Sequence, residues 1–169
     1  MIPNIVHMIL DKEEFTKKNY LSIISVNKIN HPEKIYFYCY TEPFGEFWDK
    51  IKDIIIVKII DKSINLQKIL IKNLLQKGGI YLNANLICNQ SYEKYLKHSC
   101  VLSFSSKKRN GISQLMIFTD SNSEFLKLWN IIERFYGNID DVFTQIIFNR
   151  IIDLKKVYIT NYEKIFIKK

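Results

Sequence analysis

Arginine is scarce in this chain: of 25 basic residues, only Arg109, Arg134 and Arg150 carry a guanidinium. That scarcity qualifies the formal net charge of +8. A positive excess attracts polyanions without specificity. Base readers, however, favour the planar fork of arginine, which matches guanine, whereas the lysines here are scattered among isoleucine and asparagine. The composition argues against nucleic acid as a partner and leaves a basic nucleic-acid module as a remote reading. Cysteine is also sparse. Cys39, Cys88 and Cys100 are odd in number and widely spaced, so they form neither a disulfide framework nor a CxxC metal knuckle, and a reducing compartment is expected. Long apolar runs are missing: the longest, 54–60, is interrupted by Lys58 and falls far short of a membrane span. The opening Met1-Ile2-Pro3-Asn4 lacks the basic-then-apolar layout of a secretion signal. No membrane span and a cytoplasmic location are the expectation. There is no Pro/Gly-rich linker, internal repeat or low-complexity tract to divide the chain.

What is present is a globular composition, 47% apolar and 14% aromatic over 169 residues, enough for one domain with its own core. Strand-like and helix-like segments alternate. Strands are expected at 4–10, at 34–40 after Pro32, at 54–59, 80–82, 101–105 and 114–118, and a last one at 156–159. The run 54–59 is apolar without alternation, as in a strand covered on both faces. Helices are expected over 12–26 (Phe15, Leu21, Ile24), 45–52 (Phe47, Trp48), a stripe of Leu66, Ile69, Leu70 and Leu74, a turn or two at 92–97, and 141–152. Ser121-Asn122-Ser123-Glu124 reads as a capping box opening a helix with Phe125, Leu128, Trp129 and Ile132. This alternation predicts an α/β fold, a mostly parallel sheet flanked by helices in one domain. Such sheets bind ligands outside the carboxyl ends of their strands, near a topological switch point. Asn83-Ala84-Asn85 directly follows a predicted strand and falls in that position.

The segment Gly78-Gly79-Ile80-Tyr81-Leu82-Asn83-Ala84-Asn85 resembles the GGIYLDxD signature of the glycosyltransferase family with a sugar-binding Asp-x-Asp motif. Ile2-Pro3-Asn4-Ile5-Val6-His7 is similar to that family's opening. His31 to Tyr38 followed by Glu42-Pro43-Phe44-Gly45 and Trp48, and Asn122 to Lys127, resemble passages of one branch. The resemblance implies a GT-A, Rossmann-like nucleotide-sugar transferase fold spanning 1–169 and shortened at its carboxyl end. In intact members it implies transfer of a sugar from a nucleotide donor to a hydroxyl. It also assigns candidate nucleotide-sugar-binding positions: His7, Gln67, Gly79, Asn83, Asn85 and Gln114.

The departures from the family fall on its chemistry. Both motif aspartates are asparagine, Asn83 and Asn85. Counting back from Gly78, the Asp-x-x-Arg of the preceding helix becomes Gln67 and Leu70, and the Asn of a later sugar-lining strand becomes Gln114. No Trp follows Trp129 and no His follows His98. The carboxylates matter because a hard cation wants charged oxygens, and Mg²⁺ or Mn²⁺ on the diphosphate neutralises charge building on the leaving group. An Asn carbonyl brings only a dipole. The expectation is therefore an impaired pseudo-glycosyltransferase with a binding or scaffold role, for a nucleotide sugar, a glycan or a protein partner. No metal is expected, and Mn²⁺ or Mg²⁺ only should the altered site still hold one. The alternative is an active, metal-independent transferase whose diphosphate is clamped by Lys107, Lys108 and Arg109. That cluster equally suits a solvated loop. Asn83 and Asn85 equally suit a turn that bonds its own backbone, and His7, on an apolar strand, suits a core histidine better than a catalytic base.

Overall fold

The computed structural model describes residues 1–104, 112–136, 157–160, 163 and 165–167. The first strand, β1 (Ile5–Leu10), is followed by α1 (Lys17–Asn30) and β2 (Lys34–Cys39). A four-residue helix α2 (Glu46–Asp49) and a 3₁₀ turn (Lys52–Ile54) lead to β3 (Ile56–Ile59). Then come α3 (Leu66–Lys77), β4 (Gly79–Leu82), β5 (Ile87–Cys88) and a 3₁₀ turn at Glu93–Tyr95. The rest comprises β6 (Cys100–Phe104), β7 (Ile112–Thr119), α4 (Glu124–Tyr136), β8 (Tyr158–Thr160) and β9 (Phe166–Ile167). Seven strands form one sheet in the order β3-β2-β1-β4-β7-β6-β8, and β5 pairs with β9. The first four are mutually parallel, β7 runs antiparallel to both its neighbours, and β8 is parallel to β6.

Strand alternation divides the packing between two faces. Val6, Met8 and Leu10 of β1, with Phe37 and Cys39 of β2 and Ile80 and Leu82 of β4, bury against Ile23 and Val26 of α1 and Trp48 of α2. The opposite parity, including Ile9 and Tyr81, packs with Leu70, Ile71 and Leu74 of α3 and Leu126 of α4.

Several expected boundaries shift, each for a local reason. The first helix starts at Lys17, not at residue 12, because Thr16 and Asn19 close a reciprocal capping box. Phe15 precedes the helix, and its ring packs on Phe37 and Trp48, while Leu21 is 38% exposed. The helix after β7 is capped by Ser123, whose carbonyl takes the Lys127 N–H at 3.2 Å, so it opens two residues past the anticipated cap at Ser121. The apolar run 54–59 is not a covered strand. It is the sheet edge, with Ile56 and Ile59 exposed, because among the described residues no strand pairs beyond it. The segment 45–52 splits into α2 and a 3₁₀ turn, and the last expected strand begins at Tyr158. The helix expected over 141–152 lies outside the described residues. All three cysteines are free and buried.

The join between α3 and β4 needs glycine twice. Gly78 ends the helix at φ 69, its N–H bonded to the Leu74 carbonyl at 2.8 Å. Gly79 has φ 126, and a Cβ there would lie 2.6 Å from the Ile5 carbonyl oxygen and 2.9 Å from His7 Nε2. The close seating of β4 on β1 therefore excludes any side chain at 79. Gly79→Ala should cost about 3 kcal/mol or more, read as a lowered urea midpoint.

His7 is fully buried in β1, its Nδ1 2.9 Å from the Tyr38 hydroxyl and its ring stacked near Tyr36 and Tyr38. Burial first, and then the charge of Lys77, lower its pKa to about 4. The folded protein holds this imidazole neutral, whereas the unfolded chain protonates it below about 6.5. Stability from His7 is therefore complete above that value and is lost as pH falls from about 6.5 toward 4. Urea titrations of wild type and His7→Gln between pH 7 and 4 should diverge, the wild type losing up to about 3 kcal/mol more.

Candidate functional site

The carboxyl ends of β1, β2 and β4 meet the amino end of α3 around an open cleft of about 310 Å³. It lies where the strand order reverses, with β2 on one side of β1 and β4 on the other. Side-chain parity supplies its lining. Ile9 and Asp11 extend the face of β1 that holds His7, Tyr40 continues β2, and Tyr81 and Asn83 continue β4. From α3 come Asn65 and Gln67. Asn65 is the helix cap, and its Oδ1 accepts the Gln67 N–H at 2.7 Å.

The turn after β4 is fixed by a chain of amides. The Asn83 N–H donates to the Leu115 carbonyl of β7 at 2.8 Å, and the Asn85 N–H donates to Asn83 Oδ1 at 3.0 Å. Asn85 Oδ1 accepts from Asn19 Nδ2 at 3.2 Å, and the same nitrogen donates to the Ala84 carbonyl at 3.0 Å. Asn19 is 2% exposed. Its own oxygen is taken by the Thr16 N–H at 2.9 Å and the Thr16 hydroxyl at 2.7 Å. One carboxamide thus caps α1 and holds the 83–85 turn. Tyr81, beneath that turn, has its pKa pushed up to about 12, by burial first. A hydrogen bond with the Asn83 side chain opposes the shift, and the nearby Asp11 charge adds to it. Its hydroxyl stays neutral across the physiological range.

A hard divalent cation needs several oxygens, most of them charged. Among the described residues the cleft lining offers one carboxylate, Asp11. The amide oxygens of Asn65, Asn83 and Asn85 each already accept an N–H. No three His, Cys, Asp or Glu side chains come together among the described residues. Among the described residues this donor set, one carboxylate and neutral amide oxygens, has too little negative charge to fit Mn²⁺ or Mg²⁺.

Of the residues singled out in the sequence, Asn83 and Gln67 line the cleft together. Asn85 is exposed and is not among the residues that line the cleft; its oxygen is turned to Asn19. Gly79 lies deeper, at the start of β4, and His7 is buried beside it, outside the cleft lining. Gln114 lies within β7, one residue before the Leu115 carbonyl that holds Asn83. Lys107, Lys108 and Arg109 lie outside the described residues. The sequence reading missed Asp11, Tyr40, Asn65 and Asn19. Asp11 directly follows an expected strand, the same signal that singled out Asn83, whereas Tyr40 read as the last residue of the strand 34–40 and follows β2 only because that strand ends at Cys39. Asn19 was legible only as the fourth residue of a Thr-x-x-Asn cap.

Leu70 is not in this cleft. It is buried between α3 and α4 beside a small apolar cavity of about 40 Å³ that Trp129 and Tyr81 help to line.

No family profile matches the chain, and no curated protein matches it in sequence. Solved structures do match its fold. The PaToxG glycosyltransferase is similar over 89% of this chain and 69% of its own, with a TM-score of 0.59 at 19% identity. The glycosyltransferase GlyE of Streptococcus pneumoniae TIGR4 is similar over 97% of this chain but 46% of its own, with a TM-score of 0.63 at 14% identity. This chain therefore spans less than half of the GlyE chain. The 4-diphosphocytidyl-2C-methyl-D-erythritol synthase of Anaerococcus prevotii DSM 20548 is similar over 98% of this chain and 90% of its own, with a TM-score of 0.51 at 14% identity. One scaffold thus carries more than one reaction. The chain has a GT-A-like, Rossmann-like fold.

The packing of Leu70 has a measurable consequence. Leu70→Arg places a guanidinium among Ile71, Leu74 and Leu126, where no acidic side chain lines the cavity among the described residues. We expect a loss of about 3 kcal/mol or more in urea unfolding, whereas Gln67→Asp, on the exposed first turn of α3, should change stability by less than about 1 kcal/mol.

Proposed function

We propose that this chain is a degenerate member of the glycosyltransferase family with the Asp-x-Asp motif. In this reading it retains a nucleotide-sugar-binding or scaffold role while its transferase chemistry is impaired. The observation that carries the proposal is the convergence of Asn83 and Gln67, two of the altered family positions, in one switch-point cleft. Transfer from a nucleotide sugar leaves a nucleoside diphosphate, whose growing charge must be neutralised for the bond to break quickly. The cleft lining contains one carboxylate and, among the described residues, no cationic side chain. Its polar groups suit binding: amides and two tyrosines for hydroxyls and carbonyls, and Asp11 as an acceptor for sugar hydroxyls.

Thermal unfolding in the presence of a panel of nucleotide sugars tests the reading. At least one should raise Tm by about 5 °C or more at a concentration about a hundredfold above its Kd, with no detectable donor hydrolysis or transfer. An unshifted Tm across the panel counts against a retained binding role. Turnover abolished by Asn83→Ala would show an active enzyme instead. Turnover that resists EDTA and collapses when Lys107, Lys108 and Arg109 all become Ala would establish the metal-independent transferase.

A further inference from the structure

The amides of the 83–85 turn have orientations that backbone chemistry forces. A backbone N–H can only donate and a backbone carbonyl can only accept. The Thr16 N–H therefore fixes which atom of Asn19 is the oxygen, since it lies 2.9 Å from Oδ1. The nitrogen of Asn19 must then face the turn, where it donates to the Ala84 carbonyl at 3.0 Å. Its other hydrogen reaches Asn85 at 3.2 Å, so Asn85 must answer with its oxygen. Independently, the Asn85 N–H, 3.0 Å away, fixes the oxygen of Asn83. Both motif side chains thus spend an oxygen inside the protein, and the second polar atom each has left is an NH₂. Asn85 Nδ2 bonds to no described residue. Asn83 keeps at least one N–H beyond its contact with the Tyr81 hydroxyl, because a carboxamide nitrogen carries two.

Aspartates held by the same internal donors would offer a second anionic oxygen at each position. Asparagines offer a donor. The replacement of Asp by Asn therefore does more than remove charge: it reverses the polarity of the atom facing a ligand.

We propose that the Asn83–Asn85 turn binds the phosphate oxygens of a nucleoside diphosphate directly, through side-chain N–H donors, with no divalent cation between them. The inference rests on the nucleotide-binding reading above and specifies its chemistry. Hydrogen bonds from amide donors to a charged acceptor are among the stronger neutral–ion contacts. Asp11, the one carboxylate of the cleft lining among the described residues, lies near Tyr81 and suits the hydroxyls of a ligand as an acceptor, while the amide donors of the turn suit its phosphate oxygens. Asn19 is a positioning residue: buried under the turn, it sets which atom of Asn85 faces outward.

Isothermal titration of the full chain with ADP, CDP, GDP and UDP, in EDTA and then in Mn²⁺, tests this. The tightest of the four should bind in EDTA with a Kd within about twofold of that in Mn²⁺. Asn85→Ala should weaken it about tenfold in either buffer. Asn19→Asp keeps an oxygen for the Thr16 N–H but turns a second oxygen toward Asn85, whose amide must flip. Without touching the ligand, it should also weaken binding about tenfold. Should Asn19→Asp fail to fold, the double variant Asn83→Asp/Asn85→Asp takes its place, losing the nucleotide in EDTA and regaining it in Mn²⁺. Wild-type binding that requires Mn²⁺, or EDTA-resistant binding indifferent to Asn85→Ala, overturns the inference while the cleft remains a nucleotide site. No binding of any of the four in either buffer defeats the nucleotide-binding reading, and the inference with it.

Discussion

The carboxamide of Asn19 organises the candidate site. It is buried where the amino end of α1 meets the turn after β4, and it satisfies backbone groups from both. A buried amide left without partners carries a large desolvation cost, so a residue with both its polar atoms engaged fixes its neighbours firmly. Here that rigidity passes to Ala84 and Asn85, and through the Asn85 N–H to Asn83. The pose of the turn is inherited from helix capping about 65 residues earlier in sequence.

A second constraint sets the depth of the site. Strand alternation aligns His7, Ile9 and Asp11 on one face of β1, with Tyr36, Tyr38 and Tyr40 beside them on β2. The lower members of these ladders lie away from the cleft: His7 is buried and neutral, close against Gly79 and hydrogen-bonded to Tyr38. The upper members, Asp11 and Tyr40, emerge where the strands end and α3 begins. The same parity that makes a core histidine at one level makes a polar cleft two pleats higher. Gly79 permits this because only a residue without a side chain lets β4 approach β1 closely enough to share the ladder.

Much of the architecture was legible in the sequence because it rests on periodicity and punctuation. Of the stripe Leu66, Ile69, Leu70 and Leu74, all but the half-buried Ile69 did form a buried helix face, Gly78 and Gly79 did end it, and the strand that followed did deliver Asn83 to the cleft. Errors arose where local pattern is ambiguous. An apolar run without alternation reads as a central strand, but 56–59 is an edge, since position in the sheet depends on pairing order and not on composition. Phe15 kept a helical spacing with its successors yet lies ahead of the helix, because a capping box overrides an apolar stripe.

The sequence alone determined the α/β class, the glycine turn, and that 83 and 85 carry amides and not carboxylates, since these depend on local propensity and on residue identity. Only the tertiary structure decided which residues share the cleft. Asp11, Tyr40 and Asn65 come from three separate elements, and nothing in their own neighbourhoods marks them as companions of Asn83. It also decided what the asparagines present. An isolated amide can turn either end outward at little cost, and it takes a donor from 66 residues away to settle which.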